Sequence, residues 1–520
     1  MADTHVLRST LPDVDAGGLT VHEFVLERAS RLGDKPALVD GPSGRTISYG
    51  QLAAGVERVA AGLAARGFGK GGVLALYSPN LPEYALAVYG AMAAGGTVIG
   101  ANPLLTVEEL AGQLADADAS LLVTVPPFLD KAREAAEKAG VEQVLVFGEA
   151  DGVTPFRELV GHRHPPARVL VDPDDLAALP YSSGTTGLSK GVEQTHASLV
   201  VNARQSQAVL GQREDDVVLA VAPFFHVMGL NLVLATALRA GATVVTLPRF
   251  DLEGFLGTIQ DRGVTTTIVV PPVMLALANH PLVDRYDLSS LRWIGCGAAP
   301  LGAEIEQRCA DRLGCIVAQG FGMTEAGACI AINPLHAPRR GSAGRLLPNT
   351  QARIVDPSGG VDLGPGRAGE LWIRGPQLMR GYRDNPEATA RTLDTDGWLH
   401  TGDLVYADED GYLYVVDRLK ELIKYKGYQV APAELEHLLL AHPAVADAAV
   451  IPRPDPEAGE VPVAHVVLRG EATAEELIAY VAERVAPYKR VRAVELTDQI
   501  PKSPTGKLLR RVLVEAERAR

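Results

Sequence analysis

Between Tyr181 and Val192 the chain reads YSSGTTGLSKGV, with six small residues in a row before Leu188, Ser189 and Lys190. Such a run has almost nothing to bury. It offers backbone N–H groups and hydroxyls with no side chains in the way, and a cation closes it, which suits a phosphate. A plain loop has the same composition. LAALPY in front reads as a strand and the residues from about His196 as a helix, so the loop is expected at a strand-to-helix turn. It is not a Walker A loop: Ser189 stands five residues after Gly184, and Gly191 follows Lys190.

Other stretches carry reactive groups. QGFGMTE places a hydroxyl, Thr324, beside a carboxylate, Glu325; taken alone it reads as an ordinary helix start with Thr324 as N-cap. HTGD offers Asp403, which taken alone reads as a solvated turn residue before Leu404. SPTGK presents Lys507 on a glycine loop near a basic tail. His226 lies in the apolar run PFFHVMGL, where a lone histidine is more often a satisfied core residue. Cys296, Cys309, Cys315 and Cys329 form no CxxC pair and read as reduced, mostly buried residues.

The elements that must hold these groups belong to a long chain. At 520 residues it exceeds one hydrophobic core and calls for roughly three or four compact units. A formal charge of -14 and a pI near 5.4 disfavour a nucleic-acid partner. The start, MADTHVLRSTLPDVD, lacks the basic and apolar regions of a signal peptide, and no run approaches ~18 apolar residues, so no membrane span and a cytoplasmic location are expected.

VHEFVLERASRL and YGQLAAGVERVAAGLAARG have helical periodicity, whereas VLALYS, TVIGA, SLLVTV and QVLVFG read as buried strands. That alternation predicts parallel sheets with crossover helices. The pattern recurs from Asp174 through VVLAVAP, ATVVTLP, TTTIVVPP and LRWIGCG. We therefore expect an α/β multidomain protein. A large N-terminal domain, 1–417, would comprise two α/β subdomains (about 1–170 and 171–336) and a small β-barrel (337–417); a small mobile α+β domain would follow at 418–520.

YSSGTTGLSKGV resembles the phosphate-loop signature of the adenylate-forming superfamily, which includes acyl-CoA synthetases, adenylation domains and beetle luciferase. PFFHVMGL, GCGAAPL, QGFGMTE, GELWIRG, GWLHTGDL, DRLKELIKYKGYQVAPAELE and PKSPTGKLLRR follow in the family's order. The resemblance covers essentially the whole chain and is strongest to 4-coumarate–CoA ligase-like enzymes. It implies that ATP activates a small-molecule carboxylic acid as acyl-AMP and that coenzyme A then takes the acyl group as a thioester. The same resemblance leaves room for an enzyme that loads a carrier protein, or for a luciferase-like oxygenase.

Residue by residue, the resemblance implies that Ser182, Ser183, Gly184, Thr185, Thr186, Gly187, Leu188, Ser189 and Lys190 hold the β- and γ-phosphates. Ser189 stands where the family usually has Pro. Ala298, Ala299 and Pro300 would wall adenine opposite Gln319, Gly320, Phe321, Gly322 and Met323, with Phe321 where relatives often have Tyr. Thr324 would touch the α-phosphate and Glu325 bind Mg²⁺. Asp403 and Arg418 would hold ribose, and Lys507 would bridge the attacking carboxylate and the α-phosphate. A rotation about Lys420 would then replace Lys507 by the YKGYQ hairpin. Lys426 and Gly427 would line the pantetheine channel, with Arg249 on a CoA phosphate; Lys424 and Gln429 match positions used in adenylation. The acid would lie among His226, Met228, Leu232, Gly297, Ala298, Gly320, Gly322, Ala328 and Cys329. Met228 and Leu232 replace the Tyr and Ser of phenolic-acid ligases, and Gly322 replaces the Trp of acetate-specific relatives. An apolar acid larger than acetate is expected, either a cinnamate-type arylpropenoate or a medium-chain fatty acid.

Overall fold

Strand Val73–Tyr77 is buried along its whole length and presents a different set of side chains to each side. Leu74 and Leu76 enter one apolar core, while Val73, Ala75 and Tyr77 enter another. A period of two with no polar face is what a strand covered on both sides requires. Strand Val217–Ala220 behaves alike: Val218 and Ala220 share the first core, and Leu219 faces a third. In the computed structural model, which describes residues 5–162, 169–182, 190–426, 428–503 and 506–518, these strands anchor two largely parallel sheets.

The first sheet runs in the order Tyr181–Ser182, Lys190–Thr195, Leu176–Ala178, Thr97–Ala101, Val73–Tyr77, Leu121–Thr124, Gln143–Val146, Thr154–Pro155. The second runs Arg345–Leu346, Ala331–Ile332, Ile316–Phe321, Trp293–Cys296, Thr266–Val269, Val217–Ala220, Thr243–Thr246, Pro36–Asp40, Thr46–Ser48. Helices Tyr49–Ala64, Pro82–Ala93 and His196–Leu210 fill the layer between them and give both sheets one shared core. Two of these helices meet at glycines. A Cβ at Gly90 would stand 2.4 Å from Val59 Cγ1, and one at Gly55 would stand 2.7 Å from Leu86 Cδ2. Outer helices cover the remaining faces, making five layers.

The sheets do not fill in chain order. Pro36–Asp40 and Thr46–Ser48 join the second sheet, and Leu176–Ala178 and Lys190–Thr195 the first, so the boundary expected near residue 170 does not separate them. Periodicity identifies a buried strand but says nothing about which neighbour it pairs with. The β-rich part expected as a small barrel is a five-stranded antiparallel sheet, Leu7–Arg8, Gln351–Val355, Gly369–Arg374, Leu399–Ala407, Leu413–Arg418, with its own core around Leu371 and Leu399.

The last hundred residues form a separate core. Strands Ile423–Tyr425, Val445–Asp455 and Gly459–Leu468 pack Ile423, Val450 and Ala464 against Leu435, Leu439 and Leu477 of helices Pro432–Ala441 and Ala474–Ala482. The four cysteines are free, three buried and Cys315 half-buried. Among the described residues no helix is long and apolar enough to cross a membrane.

Candidate active site

A cavity of about 850 Å³ opens beyond the carboxyl ends of Trp293–Cys296 and Ile316–Phe321 and reaches the C-terminal domain. In open parallel sheets this is where ligands bind, because the strand ends leave a crevice that the loops can line. Lys507, Arg418, Glu325, Thr324, His226 and Lys190 all border it.

Thr324 and Glu325 sit on a single turn, Thr324–Ala326, directly after the strand, and both are buried. The turn stops at Gly327 with φ +73, so Thr324 caps no helix. Gln194 Nε2 donates to the Thr324 carbonyl at 2.8 Å, and the Ser198 hydroxyl donates to Gln194 Oε1 at 2.8 Å, which fixes the turn from the neighbouring strand. The Tyr382 hydroxyl donates to Glu325 Oε1 at 2.8 Å. Lys190 Nζ lies 4.9 Å from the centre of the Tyr382 ring.

Across the cavity, Asp403 and Arg418 are opposite each other on paired antiparallel strands. Arg418 Nε stands 3.2 Å from Asp403 Oδ1. Burial pushes the Asp403 carboxyl up to about 6, against the opposing pull of Arg418 and Lys507. Burial and the Arg418 charge hold the Lys507 ammonium below the usual lysine range, while Glu421, Asp403 and Glu325 work the other way. Lys507 N–H donates to Ser503 Oγ at 3.1 Å, and Ser503 N–H to the Lys507 carbonyl at 2.8 Å. Gly506 has φ +73, and a Cβ there would sit 3.0 Å from Val270 Cγ2, so glycine lets this loop lie on the large domain. A Cβ at Gly302 would lie 3.9 Å from the His437 ring, a second place where the domains approach.

Gly297, Ala298, Gly320, Phe321, Gly322 and Met323 line the cavity as expected. Ala298 adopts φ +72, a left-handed conformation uncommon for alanine, at the tip of its loop. Gln319 also borders the cavity, but its amide holds the loop together: Oε1 accepts from Leu301 N–H at 2.9 Å, and Nε2 donates to the Leu301 carbonyl and to buried Glu306. Ala299 and Pro300 are half-buried behind Ala298 and do not line the cavity.

His226 precedes a π-helix, Met228–Ala235, which places Met228 and Leu232 on the cavity wall. Single-turn π segments often occur at functional sites; this one runs for eight residues. A Cβ at Gly229 would be 2.1 Å from the Pro223 carbonyl, so only glycine admits this approach. Met228 N–H donates to His226 Nδ1 at 3.2 Å, which makes Nδ1 the acceptor and leaves Nε2 protonated. Burial, aided by the Lys507 charge, pushes His226 down to about 4, so the ring is neutral.

Ala328, Cys329 and Gly322 form one side of the same region. A Cβ at Gly322 would lie 1.8 Å from the Ala328 carbonyl oxygen. Trp293, fully buried, lines the far wall with Ile268 and Ile332. These residues escaped the sequence reading, although Trp293, Gly295 and Gly297 alternate along LRWIGCG and so face one side.

Ser183, Gly184, Thr185, Thr186, Gly187, Leu188, Ser189 and Gly427 lie outside the described residues. Their neighbours Ser182 and Lys190 pair across an antiparallel hairpin, so the loop joins two strands and the helix begins only at His196. The strand-to-helix turn expected there is corrected by Lys190–Thr195, whose residues, Val192 apart, carry little apolar signal. Lys420 lines the cavity. Arg249, Lys424, Lys426 and Gln429 are exposed and do not. The structure thus brings Lys507 to the site and leaves the 424–429 hairpin outside it.

The AMP-binding enzyme profile matches residues 25–383, and the AMP-binding enzyme C-terminal domain profile matches 434–507. A 4-coumarate–CoA ligase of Pinus taeda is 43% identical over 98% of this chain and 97% of its own length. The 4-coumarate–CoA ligase 3 of Oryza sativa subsp. japonica is 42% identical over 98% of this chain and 94% of its own. Among solved structures, the anthranilate CoA ligase AuaEII in complex with anthranoyl-AMP aligns with a TM-score of 0.91 at 26% identity, covering 97% of this chain and 99% of that one.

Proposed function

The chain belongs to the AMP-binding enzyme family and is an ATP-dependent acid–CoA ligase; we propose that its acid is a flat arylpropenoate of the cinnamate type and that Lys507 drives its adenylation. The observation that carries this reading is the convergence of Lys507, Arg418, Glu325 and neutral His226 on one cavity, with Asp403 paired to Arg418 and with Met228, Leu232, Ile268, Trp293 and Ile332 supplying an apolar stretch of its wall.

A carboxylate is a poor acyl donor because oxide is a poor leaving group. Attack of its oxygen on the α-phosphorus of ATP releases pyrophosphate and leaves an acyl-AMP. The coenzyme A thiolate then attacks the acyl carbon, AMP departs, and a thioester remains. In the first step negative charge gathers around the α-phosphate, so positioned donors and cations lower the barrier. Lys507 is the cation placed for this, and partial desolvation strengthens its attraction for both the acid and the phosphate. Thr324 supplies a hydroxyl beside it, and Asp403 accepts from the ribose hydroxyls. The loop from Ser182 to Lys190 receives the β- and γ-phosphates.

The Glu325 carboxylate, with one oxygen held by Tyr382, offers a hard oxygen suited to Mg²⁺. Bound Mg²⁺ would neutralise phosphate charge there. The neutral imidazole of His226 can donate from Nε2 to the acid's carbonyl oxygen without carrying a competing charge.

For thioester formation we propose that the C-terminal domain turns about Lys420, withdraws Lys507 and brings in the 424–429 hairpin, with Lys426 and Gly427 beside the pantetheine arm and Arg249 on a CoA phosphate. Few residues need absorb such a hinge. Met228, Leu232, Gly295, Gly297 and Trp293 all line the cavity, and a Cβ at Gly297 would stand 3.6 Å from Met228 Sδ. This suits a planar ring better than a long flexible chain, and the relatives named for 4-coumarate and anthranilate point the same way.

A pyrophosphate-release screen over acetate, octanoate, benzoate, cinnamate and 4-coumarate, repeated with CoA, with a phosphopantetheine carrier protein, and with oxygen plus luciferin, tests the reading. CoA-dependent AMP release should be greatest with the arylpropenoates. Preference for octanoate, or AMP release only with the carrier, would overturn it.

A further inference from the structure

Tyr382 belongs to no motif singled out for chemistry, yet it touches both ends of the triphosphate site. Its hydroxyl donates to Glu325 Oε1 at 2.8 Å. A phenol has one proton to give. Here that proton goes to Glu325 and ties one carboxylate oxygen to the ring. The other face of the residue meets Lys190, whose ammonium lies 4.9 Å from the ring centre, within range of a cation–π attraction.

The backbone makes this arrangement rigid. Gly381–Tyr382 is a short strand hydrogen-bonded to Lys190–Thr195, with Val192 opposite Tyr382. Tyr382 N–H donates to Thr389 Oγ1 at 2.9 Å. The same partner strand carries Gln194, which holds the Thr324 carbonyl. The residue that closes the phosphate loop, the turn bearing Glu325, and Tyr382 thus share one strand pair.

We propose that Tyr382 is a positioning residue, which orients Glu325 so that a single oxygen faces Mg²⁺ and steers Lys190 toward the departing phosphates. It rests on the ligase reading only in taking MgATP as the ligand. Groups that orient a metal-binding carboxylate typically contribute 10–100-fold to metal affinity.

The test is Tyr382→Phe, which keeps the ring and removes the proton. Affinity for a non-hydrolysable ATP analogue is measured by calorimetry with and without Mg²⁺. The Mg²⁺ concentration giving half-maximal nucleotide binding should rise about 10–100-fold, while binding without Mg²⁺ stays within about twofold. Tyr382→Leu, which also removes the phenol, should shift the Mg²⁺ midpoint the same way and keeps the test decisive should Tyr382→Phe fold poorly. Tyr382→Leu should in addition weaken binding of the analogue relative to AMP, because Lys190 loses its ring. An unchanged Mg²⁺ midpoint, or an equal loss with and without Mg²⁺, would overturn the proposal. Wild-type thioester formation is assayed separately, so failure of the ligase reading would show there and not in the Mg²⁺ midpoint.

Discussion

Asp403 Oδ1 and Arg418 Nε stand 3.2 Å apart on paired strands, and the carboxyl is still pushed up to about 6. Burial outweighs the ion pair because Arg418 is only partly withdrawn from water, with 34% of its side chain exposed against 4% for Asp403. The site therefore holds an acid whose charge is unfavourable to the fold, and which in the proposed function accepts from ribose.

The sign follows from the raised value. Below the ordinary aspartate range Asp403 is protonated in both the folded and unfolded chain, and no penalty exists. As pH rises toward 6 the folded chain must give up a proton it prefers to keep, and by pH 7 the penalty reaches about 3 kcal/mol from a shift of ~2 units. Asp403→Asn should thus raise the melting temperature at pH 7 while increasing KM for ATP about tenfold or more. In the wild type kcat/KM for ATP should fall as pH drops through about 6. A variant less stable at pH 7 and equally stable at pH 4 would contradict this.

His226 has the opposite dependence. Its folded value lies near 4, below the ordinary histidine range, so the contribution of the neutral ring is fully present above about 6.5 and lost as pH falls toward 4. His226→Gln keeps a donor that cannot ionise. The loss of melting temperature between pH 7 and pH 5 should be smaller in this variant than in the wild type, and kcat should fall by about 10- to 100-fold. An acid sensitivity unchanged by the substitution would exclude His226 as its source.

Trp293 is buried and lines the cavity, and under the proposed reading it limits the length of the acid. Truncation to alanine leaves a void and should destabilise by about 3–5 kcal/mol, the usual range for a fully buried aromatic. Longer acids that fill the space should restore part of the melting temperature, and kcat/KM should shift from cinnamate toward acids with a para substituent or a longer chain. Trp293→Leu should do the same at smaller cost. Specificity unmoved by both changes would place Trp293 outside the acid site.

Much of this organisation was legible in the chain. The buried strands Val73–Tyr77 and Leu121–Thr124 stood out because an unbroken apolar run is a local property, and the helix expected from about His196 starts there. Pairing was not local: nothing in PALVD indicates that it lies beside Thr243–Thr246, two hundred residues away. Lys190–Thr195 was hidden because an edge hairpin needs few apolar residues. Among site groups, Thr324, Glu325, Arg418, His226 and Lys507 were marked by motif and meet at one cavity, and Asp403 stands behind it, paired with Arg418. Tyr382 and Trp293 were missed because a tyrosine after a glycine and a tryptophan in a strand have bland roles in most proteins. Only the fold puts one beside Glu325 and the other at the end of the cavity. Gly322 read as room for an acid; the structure adds that a side chain there would strike the Ala328 carbonyl.

Lys507→Ala, followed in two separate half-reactions, tests the account most directly. Acid-dependent pyrophosphate release should fall by at least about 100-fold, as expected for loss of a positioned cation at developing charge. Conversion of supplied cinnamoyl-AMP and CoA to the thioester should keep nearly its full rate, because the proposed rotation takes Lys507 out of the site before that step. Equal loss in both half-reactions, or adenylation that survives without the ammonium, would contradict it.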